Sequence, residues 1–349
     1  MLTQAEPIAG DVVAWPRTSA LLDVEGLTVR YETEHGDVVA VDDVSFTVAP
    51  GERVALVGES GSGKSGTCLA IAGLLTHPSA RISATRLAFE GIERDPRPTS
   101  RLPRRVPGMA MVFQDASTSL DPVWTIGSQL VDILRATQRT SRKDAKRQAV
   151  DWLHRVGLTD TDRVMKSRSY ELSGGMRQRA MLAMALSGQP RLLIADEPTS
   201  ALDASLSQEM MQLLLTLTSE FGAGLLLVSH DVHLCQTFTD RMLVMYGGKI
   251  VEEGVSRALE TDAAHPYTQA LLRSAPTLHS ADLDVLPTIP ISAHGQSDPD
   301  GGCAFRPRCH RAVDACAHPP VPVLLGPGRS ARCWLAEPVE LAAPMRRGA

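Results

Sequence analysis

No apolar run in this chain approaches the roughly 18 to 20 residues that a helix needs to span a bilayer. The first residues include Glu6 and Asp11 and contain no apolar core, which excludes a secretory signal peptide. A basic excess is also lacking: the formal net charge is -5 and the isoelectric point is about 6.1, which disfavours a chain-wide nucleic-acid surface. We therefore expect a cytosolic protein that reaches a membrane only through a partner.

Cysteine is scarce over most of the chain and concentrated near its end. Cys68 and Cys235 stand alone in helical patterns, where a small buried apolar side chain is expected. The other four of the 6 cysteines are Cys303, Cys309, Cys316 and Cys333. In a reducing compartment such a cluster indicates metal binding or catalysis rather than disulfide bonds. These four include no C-x-x-C pair of the zinc-ribbon kind, so the residues alone leave the metal open, with Zn²⁺ as one candidate.

Hydrophobic residues make up 43% of the chain and charged residues 21%, a balance that can build one large α/β domain with a smaller appendage. Alternating and apolar runs predict strands over residues 21–31, 38–48, 85–89, 109–113, 191–195, 225–228, 241–245 and 249–252. Helical spacing predicts helices over residues 125–136, 143–156 and 203–221, and another after Arg179. Residues 1–19 show no periodicity and are expected to form a mobile leader. From about Leu278 the composition becomes rich in Pro and Gly, and we expect the core to end there.

The strongest local pattern is G-x-x-x-x-G-K-S over residues 58–65. It follows an apolar run and precedes a predicted helix, the context of a phosphate-binding P-loop. Its glycines let backbone N–H groups turn toward an anion near the positive end of the helix dipole. Lys64 can reach terminal phosphates, and the Ser65 hydroxyl can bind Mg²⁺. A glycine-rich turn that matches by chance is disfavoured by the complete pattern in its strand–helix frame.

Polar side chains follow three of the predicted strands. Gln114 comes after residues 109–113, where it could meet a nucleotide-bound metal, and His230 comes just after residues 225–228. Asp196 and Glu197 end a third strand. An acidic pair at the end of a buried strand is costly unless it faces a cation or water, so these residues predict a charged site.

Two further positions suit a nucleotide. Ser173, Gly174 and Gly175 precede a predicted helix and form a second helix N-terminus suited to an anion. Tyr31 ends the first predicted strand shortly before the P-loop, where its ring could stack on adenine or simply pack within the sheet.

The order of these elements resembles that of the ABC-type ATPase cassette over roughly residues 20–255. The elements are the P-loop, Gln114, the L-S-G-G-M-R-Q signature at residues 172–178, Asp196 with Glu197, the S-A-L-D segment at residues 200–203, and His230. The signature is the specific part, because ordinary P-loop enzymes, including kinases, lack it. The resemblance implies an α/β fold with a RecA-like core, an antiparallel β subdomain and a helical subdomain at about residues 116–188.

The resemblance also implies which residues bind ATP and Mg²⁺. Lys64 and the loop amides would hold the β and γ phosphates. Ser65, Asp196 and Gln114 would hold Mg²⁺ directly or through water. The implied ATP-binding set is Tyr31, Gly58, Ser60, Gly61, Ser62, Gly63, Lys64 and Ser65, with Ser173, Gly174 and Gly175 acting on ATP held by a partner subunit.

Catalysis would then depend on two further residues and on a second chain. Glu197 would polarise the attacking water, and His230 would contact the γ-phosphate. Because each chain supplies half of each site, a head-to-tail dimer would be needed for hydrolysis, with Asp203 near its interface. No catalytic position departs from the pattern, so we expect an active ATPase.

A finer resemblance is to the dipeptide/oligopeptide/nickel importer ATPases. It is carried by residues 58–65, 117–122, 174–179, 265–272 and 302–309, and Ala116 departs from the proline common in that family. It implies a C-terminal extension over residues 256–349 with an irregular Cys-rich tail (residues 302–333), whose Cys303, Cys309, Cys316 and Cys333 would ligate a [4Fe-4S] cluster. We expect this tail to lie far from the P-loop.

This family implies an importer subunit at the cytoplasmic face of the membrane. Its partners would be a second, related but non-identical ABC ATPase, two membrane permeases and, indirectly, an extracytoplasmic substrate-binding protein. A permease helix would dock near Gln114 and residues 117–122. The cargo would be di- or oligopeptides, with nickel or another small solute as alternatives. A soluble ABC ATPase acting on DNA or ribosomes is disfavoured, because the chain has neither a long coiled-coil insertion nor a second cassette, and its pI is acidic.

Overall fold

Two β-sheets and a group of helices form the computed structural model, which describes residues 20–34, 36–97, 106–200, 202–274, 288–289 and 301–338. The described strands are β1 (Leu22–Thr33), β2 (Gly36–Val48), β3 (Arg53–Val57), β4 (Ala80–Ser83), β5 (Arg86–Phe89), β6 (Ile92–Glu93), β7 (Met109–Val112), β8 (Leu192–Asp196), β9 (Gly224–Ser229), β10 (Arg241–Tyr246), β11 (Lys249–Val255), β12 (Val323–Gly326) and β13 (Arg329–Ala331). The described α-helices are α1 (Lys64–Ala72), α2 (Ala116–Ser119), α3 (Ile126–Gln138), α4 (Arg142–Arg155), α5 (Thr161–Lys166), α6 (Gly174–Ser187), α7 (Ala204–Glu220), α8 (Val232–Phe238), α9 (Leu259–Asp262) and α10 (Pro266–Ser274). The leader expected over residues 1–19 lies outside the described residues.

The larger sheet has eight strands in the order β12-β13-β11-β10-β3-β9-β8-β7. Neighbours from β10 through β7 are parallel, and β11 returns antiparallel to β10. The parallel strands are short apolar runs, and every residue of β8, β9 and β10 is buried. Such runs are typical of a sheet covered on both faces. Because β3, β8 and β9 are parallel neighbours, their carboxyl ends meet at one edge, where a ligand site is expected.

The second sheet is antiparallel and covers one side of this core. Its strands run in the order β2-β1-β5-β6, and β4 also pairs with β1. Apolar residues from β1 and β2 share a buried cluster with α1 and with one face of the larger sheet. Helix α1 is therefore enclosed between the two sheets, and its first residue emerges at the strand ends.

The helices α2 to α6 pack together beside β7. Thr125 caps α3 by accepting a hydrogen bond from the Ser128 N–H at 3.2 Å, and Ser141 caps α4 by accepting one from the Asp144 N–H at 3.1 Å. The helix predicted over residues 143–156 is confirmed by α4, and Ala145, Ala149, Leu153 and Val156, which follow one another at helical spacing, are all buried. These helices thus form one layer, with α6 carrying the signature at its N-terminus.

The expectation that the core ends near Leu278 is wrong. Strand β13 pairs with β11, and β12 pairs with β13, so the Cys-rich tail extends the larger sheet. Phe305 is 2% exposed and its ring centroid lies 5.2 Å from that of Tyr246 and 5.3 Å from that of Tyr267. Strands of three and four residues are too short to show an alternation of apolar and polar residues, which explains why the sequence pattern did not predict β12 and β13.

Candidate functional site

The P-loop connects β3 to α1 and requires glycine at both of its ends. Gly58 has a φ of +155°, and a Cβ there would lie 2.2 Å from the Met245 carbonyl oxygen. Gly63 has a φ of +106°, and a Cβ there would lie 2.4 Å from the Ala40 carbonyl oxygen. Both backbone conformation and space therefore exclude larger side chains. The tight path brings the loop over the N-terminus of α1, where backbone amides can meet an anion.

Lys64 begins α1 and lies beneath the loop with only 5% of its surface exposed. Its Nζ donates to the carbonyl oxygens of Gly58 and Glu59, each at 2.8 Å. Burial lowers the pKa of Lys64, while the carboxylates of Glu197 and Asp196 oppose that effect. The ammonium group is thus held at the mouth of the site by groups that a phosphate could replace.

Asp196 ends β8 and has a carboxylate that fits a divalent cation. It is buried, and burial raises its pKa, while a hydrogen bond from the Ser65 hydroxyl lowers it. Within the described part of the chain its Oδ1 atom has no hydrogen-bond partner. A buried carboxylate oxygen without a partner is costly, and Mg²⁺ prefers oxygen ligands of this kind. Ser65 and Asp196 therefore form a donor set suited to Mg²⁺.

Glu197 follows Asp196 and is held by two other residues of the site. Gln114 Nε2 donates to Glu197 Oε2 at 2.8 Å, and His230 Nδ1 lies 3.5 Å from the same oxygen. Glu197 has a φ of +47°, which is uncommon for a residue with a side chain, and its N–H donates to the Val228 carbonyl oxygen at 2.9 Å. Such strain is maintained only where the surroundings fix it, as they do at functional sites.

The signature residues lie at the N-terminus of α6. Ser173 caps this helix by accepting a hydrogen bond from the Met176 N–H at 3.3 Å. Gly174 is exposed, and a Cβ there would meet no described atom within 4 Å. This surface is therefore open to another molecule.

Tyr31, the predicted adenine platform, lies near the end of β1 and is partly buried. Its ring makes an edge-to-face contact with His77, with centroids 5.9 Å apart. The ring thus already packs within its own chain, and stacking on adenine stays a prediction.

The C-terminal extension contacts the P-loop, so the expectation that the Cys-rich tail lies far from it is wrong. Arg308 pairs with the Glu59 carboxylate through two bonds of 2.7 and 2.8 Å, although 249 residues separate them in sequence. The Glu59 N–H donates to the Tyr267 hydroxyl at 2.8 Å. Sequence reasoning missed Arg308 and Tyr267 because it treated their motifs only as family markers.

The four tail cysteines influence one another electrostatically. Burial raises the pKa of Cys303 to about 11 and also raises those of Cys309 and Cys333, and each of the three is raised further by the Cys316 thiol. The Cys303 N–H donates to the Cys316 carbonyl oxygen at 2.9 Å. Among the described residues, however, no group of three or more His, Cys, Asp or Glu side chains could hold a single metal ion.

Cys68 and Cys235 were predicted to be buried apolar residues, and the structure confirms it. Both are fully buried, and burial raises the pKa of each thiol. Across the ranges that the structure describes, no helix is both long and apolar enough to cross a bilayer.

A glycine-rich loop on a parallel strand, a lysine beneath it and an acidic pair on a neighbouring strand define a P-loop nucleoside triphosphatase. Residues 41–200 match the family model for ABC transporters, and residues 251–316 match that for the oligopeptide/dipeptide transporter C-terminal region. The chain belongs to the ABC transporter ATPases that carry this C-terminal region. ATP is therefore its nucleotide, and ATP hydrolysis is its enzymatic activity.

Relatives align over almost the whole chain. A Brucella abortus protein provisionally named as a peptide import ATP-binding protein is 42% identical over 326 residues, which cover 93% of this chain and 97% of that protein. A Brucella ovis protein of the same provisional name is 44% identical over 315 residues, which cover 87% of this chain and 93% of that protein.

Solved structures share the cassette fold. The ATP-binding cassette MJ0796, a dimer in a post-hydrolysis state with ADP and phosphate, aligns with a TM-score of 0.57 at 25% identity, covering 68% of this chain and 99% of that one. The Clostridium perfringens protein cbiO1, part of the ABC transporter complex cbiONQ, has a TM-score of 0.57 at 26% identity and covers 70% and 92% of the two chains.

Proposed function

We propose that this chain is the ATP-hydrolysing, energy-coupling subunit of a membrane importer for di- or oligopeptides, and that it works at the cytoplasmic face of the membrane. The observation that carries this proposal is the convergence of the P-loop with Asp196 and Glu197, in a chain whose extension matches the oligopeptide/dipeptide transporter region. The names of the Brucella relatives favour peptides over nickel or another small solute. We also infer a cassette over residues 20–255, with its helical subdomain at about residues 116–188, followed by the extension over residues 256–349.

Binding would use the groups at the carboxyl edge of the core sheet. Lys64 would exchange the carbonyl oxygens of Gly58 and Glu59 for the β and γ phosphates. Ser65 and Asp196 would hold Mg²⁺, with Gln114 contributing directly or through water; the cation neutralises phosphate charge. The other proposed ATP contacts are Tyr31, Ser60, Gly61, Ser62 and Gly63.

Hydrolysis would use Glu197 as the general base. Its carboxylate is anchored by Gln114 and lies within 3.5 Å of His230, an arrangement that supports the positioning of one water molecule. His230 would contact the γ-phosphate, and proton transfer from the water to Glu197 would accompany attack on phosphorus.

A second ATPase chain would complete each site. Ser173, Gly174 and Gly175 present an open helix N-terminus, which suits the phosphates of ATP held by a partner. The dimeric MJ0796 cassette supports this arrangement. We infer that the partner is a related, non-identical ATPase.

The permease docking site is proposed at an apolar groove of about 550 Å³ between β7 and helices α3 and α6. Met111, Phe113, Ile133 and Met184 line it, and Val123 and Trp124 are largely exposed between α2 and α3. An apolar groove of this kind suits the apolar face of a short amphipathic helix. We propose that a cytoplasmic helix of a permease docks near Gln114 and residues 117–122 and packs into this groove. Two permeases and an extracytoplasmic binding protein would complete the importer.

A cysteine at Ser119, in α2, is expected to crosslink to a permease in the assembled complex. The matched control is a cysteine at Ile92, which is exposed on β6 in the antiparallel sheet. Mass spectrometry of the crosslinked bands identifies the partner. Crosslinks from Ser119 that form only between ATPase chains would place the docking site elsewhere.

The four tail cysteines are proposed to ligate a [4Fe-4S] cluster. A single tetrahedral ion with Zn–S bonds of about 2.3 Å would need its sulfurs roughly 4 Å apart. The described thiols influence one another, yet their geometry offers no site for one ion. These thiols, whose pKa values are raised by burial at Cys303, Cys309 and Cys333, would have to lose their protons on binding a cluster. The cluster would stabilise the loops between Cys303 and Cys333.

Anaerobically purified protein is expected to be brown and to contain iron and acid-labile sulfide in matching amounts. Cys309→Ser should bleach it and make the Cys-rich tail sensitive to proteolysis, whereas Cys235→Ser, at a cysteine in α8, should leave the colour unchanged. A finding of stoichiometric zinc without sulfide would contradict the cluster and indicate a site for a single zinc ion. Four alkylatable thiols in gently purified protein would contradict metal binding of either kind.

A further inference from the structure

The P-loop of this chain contains an acidic residue close to the phosphate site. Glu59 follows Gly58, and its carboxylate is the weakest of the nearby charges that oppose the lowering of the Lys64 pKa by burial. A carboxylate in this position repels phosphates that approach the same ammonium. A cation paired with the Glu59 carboxylate would neutralise this charge and fix the orientation of the side chain.

Arg308 is the cation that pairs with Glu59. Its Nη1 lies 2.7 Å from Glu59 Oε2 and its Nη2 lies 2.8 Å from Oε1, which is a two-bond pair of fixed geometry. Nη1 also donates to the Tyr246 hydroxyl at 3.2 Å, and the guanidinium lies 5.8 Å from the Phe305 ring centroid. Buried aromatic residues therefore hold the guanidinium, whose side chain is 8% exposed. Lysine could not reproduce this fork.

The backbone of Glu59 is fixed from the same side. Its N–H donates to the hydroxyl of Tyr267, a fully buried residue of α10, at 2.8 Å. Tyr267 and Arg308 lie in separate parts of the C-terminal extension, and both contact this one loop residue. The C-terminal extension thus holds the backbone of the P-loop at Glu59 through Tyr267 and neutralises the Glu59 carboxylate through Arg308.

We propose that Arg308 is a positioning residue of the ATP site, which holds the Glu59 carboxylate away from the phosphates and neutralises it. The inference rests on the proposed binding of ATP at the P-loop. It makes nucleotide affinity depend on a folded Cys-rich tail, and by thermodynamic reciprocity bound ATP stabilises the contact between tail and loop.

The test is calorimetric titration of the full-length chain with a magnesium complex of a non-hydrolysable ATP analogue. Arg308→Gln should weaken binding by about tenfold, because the Glu59 carboxylate that it leaves unpaired repels the phosphates. Glu59→Gln should bind at least as tightly as wild type. The double variant should recover to within about threefold of wild type, because no unpaired charge remains. Raising the salt concentration should reduce the loss of nucleotide affinity in Arg308→Gln, because salt screens the repulsion between charges.

Arg332→Gln is the matched control. Arg332 is also a tail arginine, but it pairs with Asp43 on β2 at 3.1 Å, and its loss should leave nucleotide affinity unchanged. Unchanged affinity in Arg308→Gln would overturn the proposal, and so would a double variant as weak as Arg308→Gln, because the arginine would then act only on tail folding. If Arg308→Gln fails to fold, Glu59→Gln still decides: weaker binding in that variant overturns the proposal. Absence of binding by wild-type protein would instead contradict the proposed function.

Discussion

Glu197→Gln is expected to lower ATP turnover by about 10²- to 10⁴-fold while ATP still binds, because loss of a general base costs about this much. The amide keeps the shape of the side chain but cannot accept the proton of the attacking water. Steady-state phosphate release measures the loss. Since ATP would stay intact between the two chains, size-exclusion chromatography should also detect a trapped dimer.

A matched control is Glu209→Gln, which removes a carboxylate that pairs with Arg179 on α6 at 3.7 Å. Its turnover should stay within about twofold of wild type, because exposed ion pairs contribute little. Near-normal hydrolysis by Glu197→Gln would show that Glu197 is not the general base. Another group at the strand ends would then have that role.

Lys64→Ala is expected to weaken ATP binding by about 10- to 100-fold. Hydrogen bonds to charged groups contribute roughly 1.5 to 3 kcal/mol, and each 1.4 kcal/mol is about a factor of ten in affinity. Titration calorimetry measures the loss directly, separately from turnover. Lys166→Ala, at an exposed lysine of α5, is the control and should bind ATP like wild type. Affinity within twofold of wild type in Lys64→Ala would contradict the contact between this lysine and the phosphates.

The sequence predicted the central part of the site because its elements are local. A strand, a glycine-rich loop and a helix lie within about twenty consecutive residues, and each parallel strand ends next to its polar residue. Once β3, β8 and β9 are parallel neighbours, Lys64, Asp196 and His230 must meet at one edge. The contact between Gln114 and Glu197 is a detail of side-chain geometry that strand order alone does not fix.

The parts that sequence reasoning missed depend on distant contacts. Nothing near Arg308 indicates that its partner is Glu59, because the two residues lie 249 positions apart in sequence. The positive φ of Glu197 is likewise imposed by its surroundings, since glutamate has no local preference for that conformation. The burial of Phe305 shows the same limit, because a short segment among prolines and glycines gives no periodic signal.

The most direct test of the proposed function is uptake of a labelled dipeptide by proteoliposomes that contain this chain, its partner ATPase and the permeases, with the binding protein outside and ATP enclosed inside. The proposed function predicts that uptake requires enclosed ATP, that the peptide stimulates ATP hydrolysis, and that Glu197→Gln abolishes both. Peptide uptake that continues without ATP, or with Glu197→Gln in place of the wild-type chain, would contradict it.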